Sequence, residues 1–523
     1  MYSLTELSNT IDITLIGEER FMYDFRYVFD DLNIIKLLTG VEEAKLNIRM
    51  KRTLLVICAR NSTVMKTELI DAGYTYGENL LLADDVIDML LQPKSGRIAV
   101  WGAGEEGEKF ISSHISEVKL VIDKWISLQE IHGKKIMRPA EVDLHNYYII
   151  VATSKYWTEI KEELQALGLK EDLDFASYKG YVNPAQMLKE CIYGNPTANL
   201  TCQYPFNFCQ IIPDGYVLLC CLGLDVCIGG LKEKSFQDVW HSRLAKILRL
   251  SIINKTFYFC KEEPCPMIKS KQCYDYDSLF EPDDYAIKTP KWPNIANVSI
   301  DHTCNLACDH CRKEILVAKD AEREQIDIIA EKLNEVIPNV KHLVLAGNGE
   351  IFFSETYQRM WKGAMGERRN SISILTNGLL FSPDIWNQLK RRYLKIGFGV
   401  SIDAATEKTY KLIRRGGNFK LLMKTMYFLG SLRRSGEIWY LHMNFVVRQD
   451  NVDELKDFIL WAKRIGADRV RVSKVENWIY DNDRFYEEIS VFNEDNTLKR
   501  EFSTAFSDSI SDPIVEMVNL KLK

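Results

Sequence analysis

Three cysteines stand in the run Cys304-Asn-Leu-Ala-Cys308-Asp-His-Cys311, immediately after an apolar strand-like stretch, Ile295–Ile300. Thiolates at x3 and x2 spacing on one loop can converge on three corners of an iron–sulfur cube. Four cysteines close such a cluster, whereas three leave one iron free to bind a ligand, which suits catalysis. A zinc site, with His302 or His310 as the fourth ligand, is the competing chemistry. The spacing and the position at a strand end favour the cluster.

The other cysteines are unevenly placed. Of 13 in the chain, only Cys58 lies before residue 190; Cys191 follows, and eight fall between Cys202 and Cys273. No cysteine follows Cys311. A chain that keeps its thiols reduced, as in the cytoplasm, more often uses clustered cysteines for metal or redox chemistry than for disulfides. For this middle group iron–sulfur and zinc both remain open, since thiolates are soft ligands to each.

The elements that must hold the triplet alternate regularly. Strand candidates are Ile295–Ile300, His342–Ala346, Ser371–Thr376, Lys395–Ile402, Leu441–Val447 and Val470–Ser473, with amphipathic helices such as Asp320–Val336 and Val452–Ile465 between them. Six βα units predict a partial (β/α)6 TIM-like barrel whose functional residues lie at the C-terminal strand ends.

The front of the chain is internally repeated. Ile13-Thr14-Leu15-Ile16-Gly17 resembles Ile98-Ala99-Val100-Trp101-Gly102, and residues 54–74 resemble 149–169. Short uninterrupted apolar runs predict parallel strands buried on both faces. Two Rossmann-like α/β units are expected, at 1–92 and 93–180. The second carries Gly102-Ala103-Gly104-Glu105-Glu106-Gly107 between a strand and a helix, and its next strand ends at Asp123. Glycines so placed admit a diphosphate to a helix N-terminus, and the acid would hold a ribose hydroxyl. In the first unit GEERFMYDF replaces this fingerprint. Glu105 and Glu106 would repel a diphosphate. A structural turn and a nucleotide or nucleotide-sugar site are both open readings of Gly102, Gly104, Gly107 and Asp123.

Composition bounds the remaining classes. The chain has 523 residues, 67 Lys+Arg against 73 Asp+Glu, 46% apolar and 27% charged residues. That is the balance of folded globular protein, without the basic excess of a nucleic-acid binder. No apolar run approaches the roughly 20 residues of a membrane helix. The first residues lack a basic start followed by an apolar core. A cytoplasmic protein with no nucleic-acid or membrane partner is expected.

CNLACDHC resembles the CxxxCxxC motif of radical S-adenosylmethionine (SAM) enzymes, and the likeness extends over about residues 290–480. It implies a catalytic [4Fe-4S] cluster held by Cys304, Cys308 and Cys311, with SAM chelated at the open iron. Reductive cleavage of SAM there yields a 5′-deoxyadenosyl radical that abstracts a substrate hydrogen. Gly347-Asn348-Gly349-Glu350 looks like the family's Gly-Gly-Glu motif; Glu350 would accept from the methionine ammonium, and Gly349 would leave space for the ligand. Ser401 and Asp403, on one face by alternation, resemble the ribose and methionine contacts. Of Arg414 and Arg415, the resemblance is read as giving the methionine carboxylate to Arg415 and the surface to Arg414. Asn377 reads as a turn residue. Asn444 lies on the fifth strand, with Val446 toward adenine.

The middle segment, 181–289, looks like a SPASM or twitch domain, which binds auxiliary iron–sulfur clusters. The resemblance implies one auxiliary [4Fe-4S] cluster held by Cys202, Cys220, Cys260 and Cys265, with Cys209, Cys221, Cys227 and Cys273 unassigned. In most relatives this domain follows the barrel; in this chain it precedes it. The tail, 481–523, is expected as an extension that caps the barrel. A reducing protein such as flavodoxin or ferredoxin, and a peptide, protein or carbohydrate substrate, are the implied partners. The alternative is a non-catalytic iron–sulfur or zinc scaffold whose front domain binds a nucleotide or a partner protein.

Overall fold

A computed structural model describes residues 11–47, 53–91, 97–125, 128–153, 156–169, 174–178, 183–197, 202–221, 226–232, 234–260, 265, 287, 289–362, 369–475, 483–493, 497–502, 506 and 509–518. The chain divides into two compact units. One comprises Met1–Gln203, Gly223–Val226 and Ser242–Thr289; the other comprises Tyr204–Leu222, Cys227–His241 and Pro290–Lys523. The cysteine-rich segment thus contributes to both.

The first unit holds two sheets. Strands β1 (Asp12–Gly17), β2 (Ile34–Leu38), β3 (Thr53–Cys58) and β4 (Leu80–Leu82) pair in parallel in the order β2-β1-β3-β4. Strands β5 (Ile98–Trp101), β6 (Val118–Ile122), β7 (Glu130–Ile131), β8 (Lys134–Met137), β9 (Tyr148–Val151) and β10 (Phe175–Ser177) take the order β10-β9-β5-β6-β8-β7, antiparallel only at β7/β8. All four residues of β5 are buried. Trp101, Ile122 and Val151 pack with Ile160 and Leu164 on one face. Val100, Val121 and Ile150 pack with Phe110 and Ile111 on the other. Burial on both faces is why these strands read as unbroken apolar runs.

The internal repeat is visible in the pairing: β1 lies beside β3 as β5 lies beside β9. Each first strand leads into a glycine of positive φ, Gly17 at +140° and Gly102 at +120°. A Cβ on Gly17 would lie 2.2 Å from the Cys58 carbonyl oxygen, and one on Gly102 would lie 2.9 Å from that of Ala152.

The second unit is built on one ten-stranded sheet. Its strands are β11 (Phe208–Ile211), β12 (Tyr216–Leu218), β13 (Cys227–Gly230), β14 (Ile295–Val298), β15 (His342–Leu345), β16 (Arg369–Thr376), β17 (Tyr393–Ser401), β18 (Tyr440–Val447), β19 (Arg469–Lys474) and β20 (Val515–Val518), in the order β13-β12-β11-β14-β15-β16-β17-β18-β19-β20. Strands β14 to β19 are the six expected ones, and all pair in parallel. The helix Asp320–Val336 buries Ile326, Ile329, Leu333 and Val336, a stripe of alternating three- and four-residue steps.

The sheet continues beyond the six on both edges. β11 pairs in parallel with β14, so the antiparallel meander of the cysteine-rich segment extends the main sheet. Its first turn is Pro213-Asp214-Gly215, with Asp214 at φ +68° and Gly215 at +79°, the left-handed pair a tight hairpin needs. At the other edge β20 pairs in parallel with β19. Part of the tail expected to cap the barrel is therefore a further strand. The helix Phe236–Trp240 is core as expected: Trp240 is buried and donates its Nε1–H to the Pro290 carbonyl oxygen at 2.8 Å.

Candidate functional site

The loop after β14 is fastened before it reaches the first cysteine. The buried Asp301 carboxylate accepts from Thr303 N at 2.8 Å and Ser354 Oγ at 2.6 Å, while Asp301 N donates to Tyr357 Oη. Cys304 N donates to the Leu316 carbonyl oxygen, which closes the loop on itself. Cys311 N and Arg312 N both donate to the Cys308 carbonyl oxygen, a single helical turn that fixes the second and third thiols. Ala307 N and Asp309 N donate to the carbonyl oxygens of Arg415 and Ile413.

Cys304, Cys308 and Cys311 border one recess at the C-terminal ends of the parallel strands, with Arg312, Glu350 and Arg414 on its walls. Burial pushes the Cys308 thiol up to about 11, with Arg414 pulling the other way. Burial also raises the Cys304 thiol. Coordination to iron would remove the proton from both.

Glu350 also borders the recess, and only 1% of it is exposed. Its Oε1 accepts from Thr376 Oγ1 at 2.6 Å and Phe352 N at 3.3 Å, and its Oε2 from Asn377 N at 2.7 Å. Burial raises its pKa against these donors. A carboxylate offers about four acceptor positions, so one on Oε2 is left for an ammonium. Asn377 is the turn residue expected, its Oδ1 accepting from Leu379 N and its Nδ2 donating to Asn305 Oδ1.

The flanking glycines are required by the packing of the strand end against the cysteine loop. A Cβ on Gly347, at φ +106°, would sit 1.7 Å from Ser299 Oγ; one on Gly349 would sit 2.4 Å from the Asp301 carbonyl oxygen and 2.7 Å from that of Thr303. The missing side chains make room for the cysteine loop, and both glycines also border the recess. Glu350 N donates to the Thr303 carbonyl oxygen across the same contact.

The two arginines lie the other way round from the expectation, Arg414 inside and Arg415 outside. Arg414 is buried and borders the recess, with Nη2 2.5 Å from Asp403 Oδ2 and Nη1 3.6 Å from Cys308 Sγ. Burial works against its charge, but Asp403 and Cys308 hold it protonated. Arg415 is exposed and donates to the carbonyl oxygens of Ala307 and Arg312.

The alternation expected to align Ser401 with Asp403 stops between them. β17 ends at Ser401, and Asp403 has φ +66°, which breaks the alternation. Ser401 borders the recess. The buried Asp403 turns to Arg414 and accepts from Val446 N at 2.8 Å. Asn444 is Ser401's partner on β18 and is not among the residues bordering the recess. The two histidines weighed as zinc ligands meet carboxylates instead: His302 Nδ1 is 3.3 Å from Glu322, and His310 lies 3.5 Å from Asp309 and 3.9 Å from Asp403.

Sequence reasoning missed two further arginines. Arg312 follows the third cysteine directly, and that adjacency was the available signal. Arg448, just past β18, is buried and pairs with Asp309 inside the cysteine motif and with Asp450 at 2.5 Å. No local pattern marks it.

Among the remaining cysteines, Cys58, Cys191 and Cys209 are buried. Burial raises the thiols of Cys58 and Cys191, and Cys191 Sγ donates to the Ile247 carbonyl oxygen at 3.6 Å. They behave as small core residues. Cys202, Cys260 and Cys265 belong to the first compact unit and Cys220 to the second. Cys273 lies outside the described residues. Among those described, no three His, Cys, Asp or Glu side chains are grouped as they would be around a single metal ion. Nor is any described helix long and apolar enough to cross a membrane.

The glycine fingerprint lies beside a cavity of about 350 Å³ lined by Gly102, Gly104, Asp123, Trp125 and Tyr156 among others. It sits where the strand order reverses, between β5 and β9. Gly107 serves packing, since its Cβ would lie 1.9 Å from the Gly102 carbonyl oxygen; a Cβ on Gly104 would meet nothing within 4 Å. Asp123 lines the cavity while its Oδ2 accepts from Ala103 N at 2.9 Å and its Oδ1 from Trp125 N at 2.8 Å.

Residues 298–470 match the radical SAM superfamily. Residues 202–274 match SPASM, an iron–sulfur cluster-binding domain. The chain thus carries a radical SAM domain and a SPASM domain. A [4Fe-4S] cluster and SAM are the cofactors of this class, and SPASM adds the capacity for auxiliary clusters. Residues 94–173, the second α/β unit, match the family described as C2185-like, N-terminal. No curated protein matches the chain. Among solved structures, SuiB of Streptococcus suis bound to S-adenosylmethionine is 15% identical, with a TM-score of 0.31, covering 44% of this chain and 51% of that one. SuiB bound to precursor peptide SuiA is 15% identical, with a TM-score of 0.30, covering 43% and 49%. The anSMEcpe structure with bound AdoMet is 15% identical, with a TM-score of 0.29, covering 39% and 56%. The match therefore spans about half the length of these proteins.

The donor set fits those cofactors. Three thiols at one recess match a cluster with one open iron. The remaining acceptor position on Glu350 and the Arg414 guanidinium would meet the ammonium and carboxylate of a methionine moiety with opposite charges.

Proposed function

We propose that the protein cleaves SAM reductively at a [4Fe-4S] cluster held by Cys304, Cys308 and Cys311, and abstracts hydrogen from a peptide, protein or carbohydrate substrate. The observation that carries this reading is the shared recess of the three thiols, Glu350 and Arg414. Bound there, cluster and SAM supply the electron transfer and the hydrogen-abstracting species. The chain's own part is to bind, orient and exclude water. Glu350 orients the methionine ammonium, and Arg414, held in place by Asp403, orients its carboxylate. Ser401 borders the same recess and would meet a ribose hydroxyl. Six parallel strands, read as a partial barrel, keep these groups on separate strand ends.

Cys202, Cys220, Cys260 and Cys265 are the proposed ligands of one auxiliary cluster, and a flavodoxin- or ferredoxin-like protein the proposed electron donor. Anaerobic reconstitution with iron and sulfide, followed by dithionite and SAM, should release 5′-deoxyadenosine. An intact cluster that releases none would favour a non-catalytic iron–sulfur scaffold.

A nucleotide or nucleotide sugar is the proposed ligand of the second α/β unit. Open space beside Gly104, a glycine that the fold does not require, supports this. Nucleotide sugars and NAD should raise the melting temperature, and Gly104→Leu should abolish the rise. A shift that survives Gly104→Leu would count against the site.

A further inference from the structure

Arg312 is a buried cation whose guanidinium is committed entirely around the third cysteine. Its Nε lies 3.4 Å and its Nη2 3.3 Å from Cys311 Sγ. Its Nη1 donates to the His302 carbonyl oxygen at 2.6 Å, and Nη2 also donates to that of Asn348. Two backbone carbonyls from different strand ends therefore hold the fork, so its aim does not depend on the sulfur. Arg312 borders the recess and is 8% exposed.

The contrast with Arg414 is informative. Arg414 also reaches a cysteine sulfur, but Asp403 neutralises it at 2.5 Å. Among the described residues no carboxylate lies within ion-pair distance of Arg312. A buried guanidinium without a counter-anion has lost its hydration with no opposite charge to offset it. Carbonyl dipoles solvate it, but the charge itself is uncompensated. A cluster with three thiolate ligands is anionic, and it would be the missing counter-charge.

We infer that Arg312 sets the reduction potential of the catalytic cluster, donating two N–H groups to the Cys311 thiolate and so stabilising the reduced state. Reduction adds one electron, delivered by a low-potential one-electron donor, and no proton need move. The extra negative charge is better stabilised by a cation and two N–H dipoles 3.3–3.4 Å from a ligand sulfur than by water or an apolar side chain. The adjacent arginine would thus act through Cys311, as a tuning residue rather than a catalytic one. This inference rests on the reading that Cys304, Cys308 and Cys311 hold the cluster.

The test is a potentiometric titration of the reconstituted full chain, followed by EPR. The signal to follow is the one that added SAM perturbs, which separates the open-iron cluster from an auxiliary one. Arg312→Met should lower the midpoint by at least a tenfold change in the one-electron equilibrium, about 59 mV. Arg312→Lys, which keeps the charge but not the fork, should fall between Arg312→Met and wild type. An Arg312→Met midpoint equal to wild type overturns the inference. Wild-type protein labelled with 15N-arginine provides a measurement that needs no variant to fold. Its reduced cluster should show a 15N coupling by pulsed EPR, and absence of that coupling overturns the inference equally. The underlying reading fails separately: wild type with no SAM-sensitive cluster, or Cys311→Ala that retains one, would remove the premise and the inference with it.

Discussion

Asp403 and Arg414 meet at 2.5 Å inside the protein, where the carboxylate is 0% and the guanidinium side chain 11% exposed. This pair joins the end of β17 to the recess, since Arg414 reaches on toward Cys308. A buried pair is held together by the cost of breaking it: removing one partner leaves an uncompensated charge, at about 3–5 kcal/mol.

Asp403→Asn isolates that cost. Asparagine tolerates the left-handed φ of +66°, and its Oδ1 can keep the hydrogen bond from Val446 N. The expected result is a protein destabilised by about 3 kcal/mol, with weaker SAM affinity because Arg414 is no longer aimed. Denaturant unfolding and SAM calorimetry measure the two effects. Arg415→Met, by contrast, should leave SAM affinity within twofold of wild type.

Glu350→Gln tests the carboxylate as an organiser. Three chain donors converge on it. An amide can accept on one side only, so at least one buried donor loses its partner, at about 1–3 kcal/mol. Thermal unfolding of the cluster-free protein should show this loss before any cofactor is added. An unchanged melting temperature would mean the donors find other partners.

Glycine substitutions should separate into two classes. Gly349→Ala drives a methyl group into the backbone of the cysteine loop at 2.4 Å. It should lower the iron bound after reconstitution, as well as stability. Gly104→Ala meets nothing within 4 Å at an ordinary extended backbone. Its stability should stay within about 0.5 kcal/mol of wild type, as for other substitutions that touch nothing.

Asp24 gives the first unit a pH dependence. It is 2% exposed, with Oδ1 3.0 Å from Arg20 Nε and Oδ2 accepting from Asn254 Nδ2. Burial raises its pKa from 3.8 to about 6, against Arg20 and Asn254. Between these values the folded state holds a proton that the unfolded state has lost. Stability therefore falls as pH rises through that window, by on the order of 2–3 kcal/mol, and stays lower above it. Asp24→Asn should remove the slope and make the variant relatively more stable at pH 8 than at pH 4. Melting curves across that range, with far-UV circular dichroism, would show it. Parallel curves for the two proteins would rule it out.

Much of the site was legible because it is local. The cysteine triplet depends on spacing within one loop, and its residues border one recess. The strands β14 to β19 were readable because each carries an apolar run bounded by helix or turn signals. β18 shows the reason most plainly, with strict alternation of buried and half-buried residues. The repeat in the first unit was readable because equal backbone turns need equal glycines, Gly17 and Gly102.

What the sequence alone determined is therefore the chemistry: three thiols for an open cluster, an acid after a glycine pair, and arginines to follow. What only the tertiary structure decided is which group faces which. Period-two alternation ends with β17 at Ser401, and beyond it Asp403, at a positive φ, meets Arg414. Two neighbouring arginines are equivalent as letters; burial against Asp403 and Cys308 distinguishes Arg414 from Arg415. The pairing of β11 with β14 and of β20 with β19 joins segments far apart in the chain, and no local signal encodes such partners. Spacing carries information over a few residues, whereas side-chain direction and burial are settled by contacts made across the whole fold.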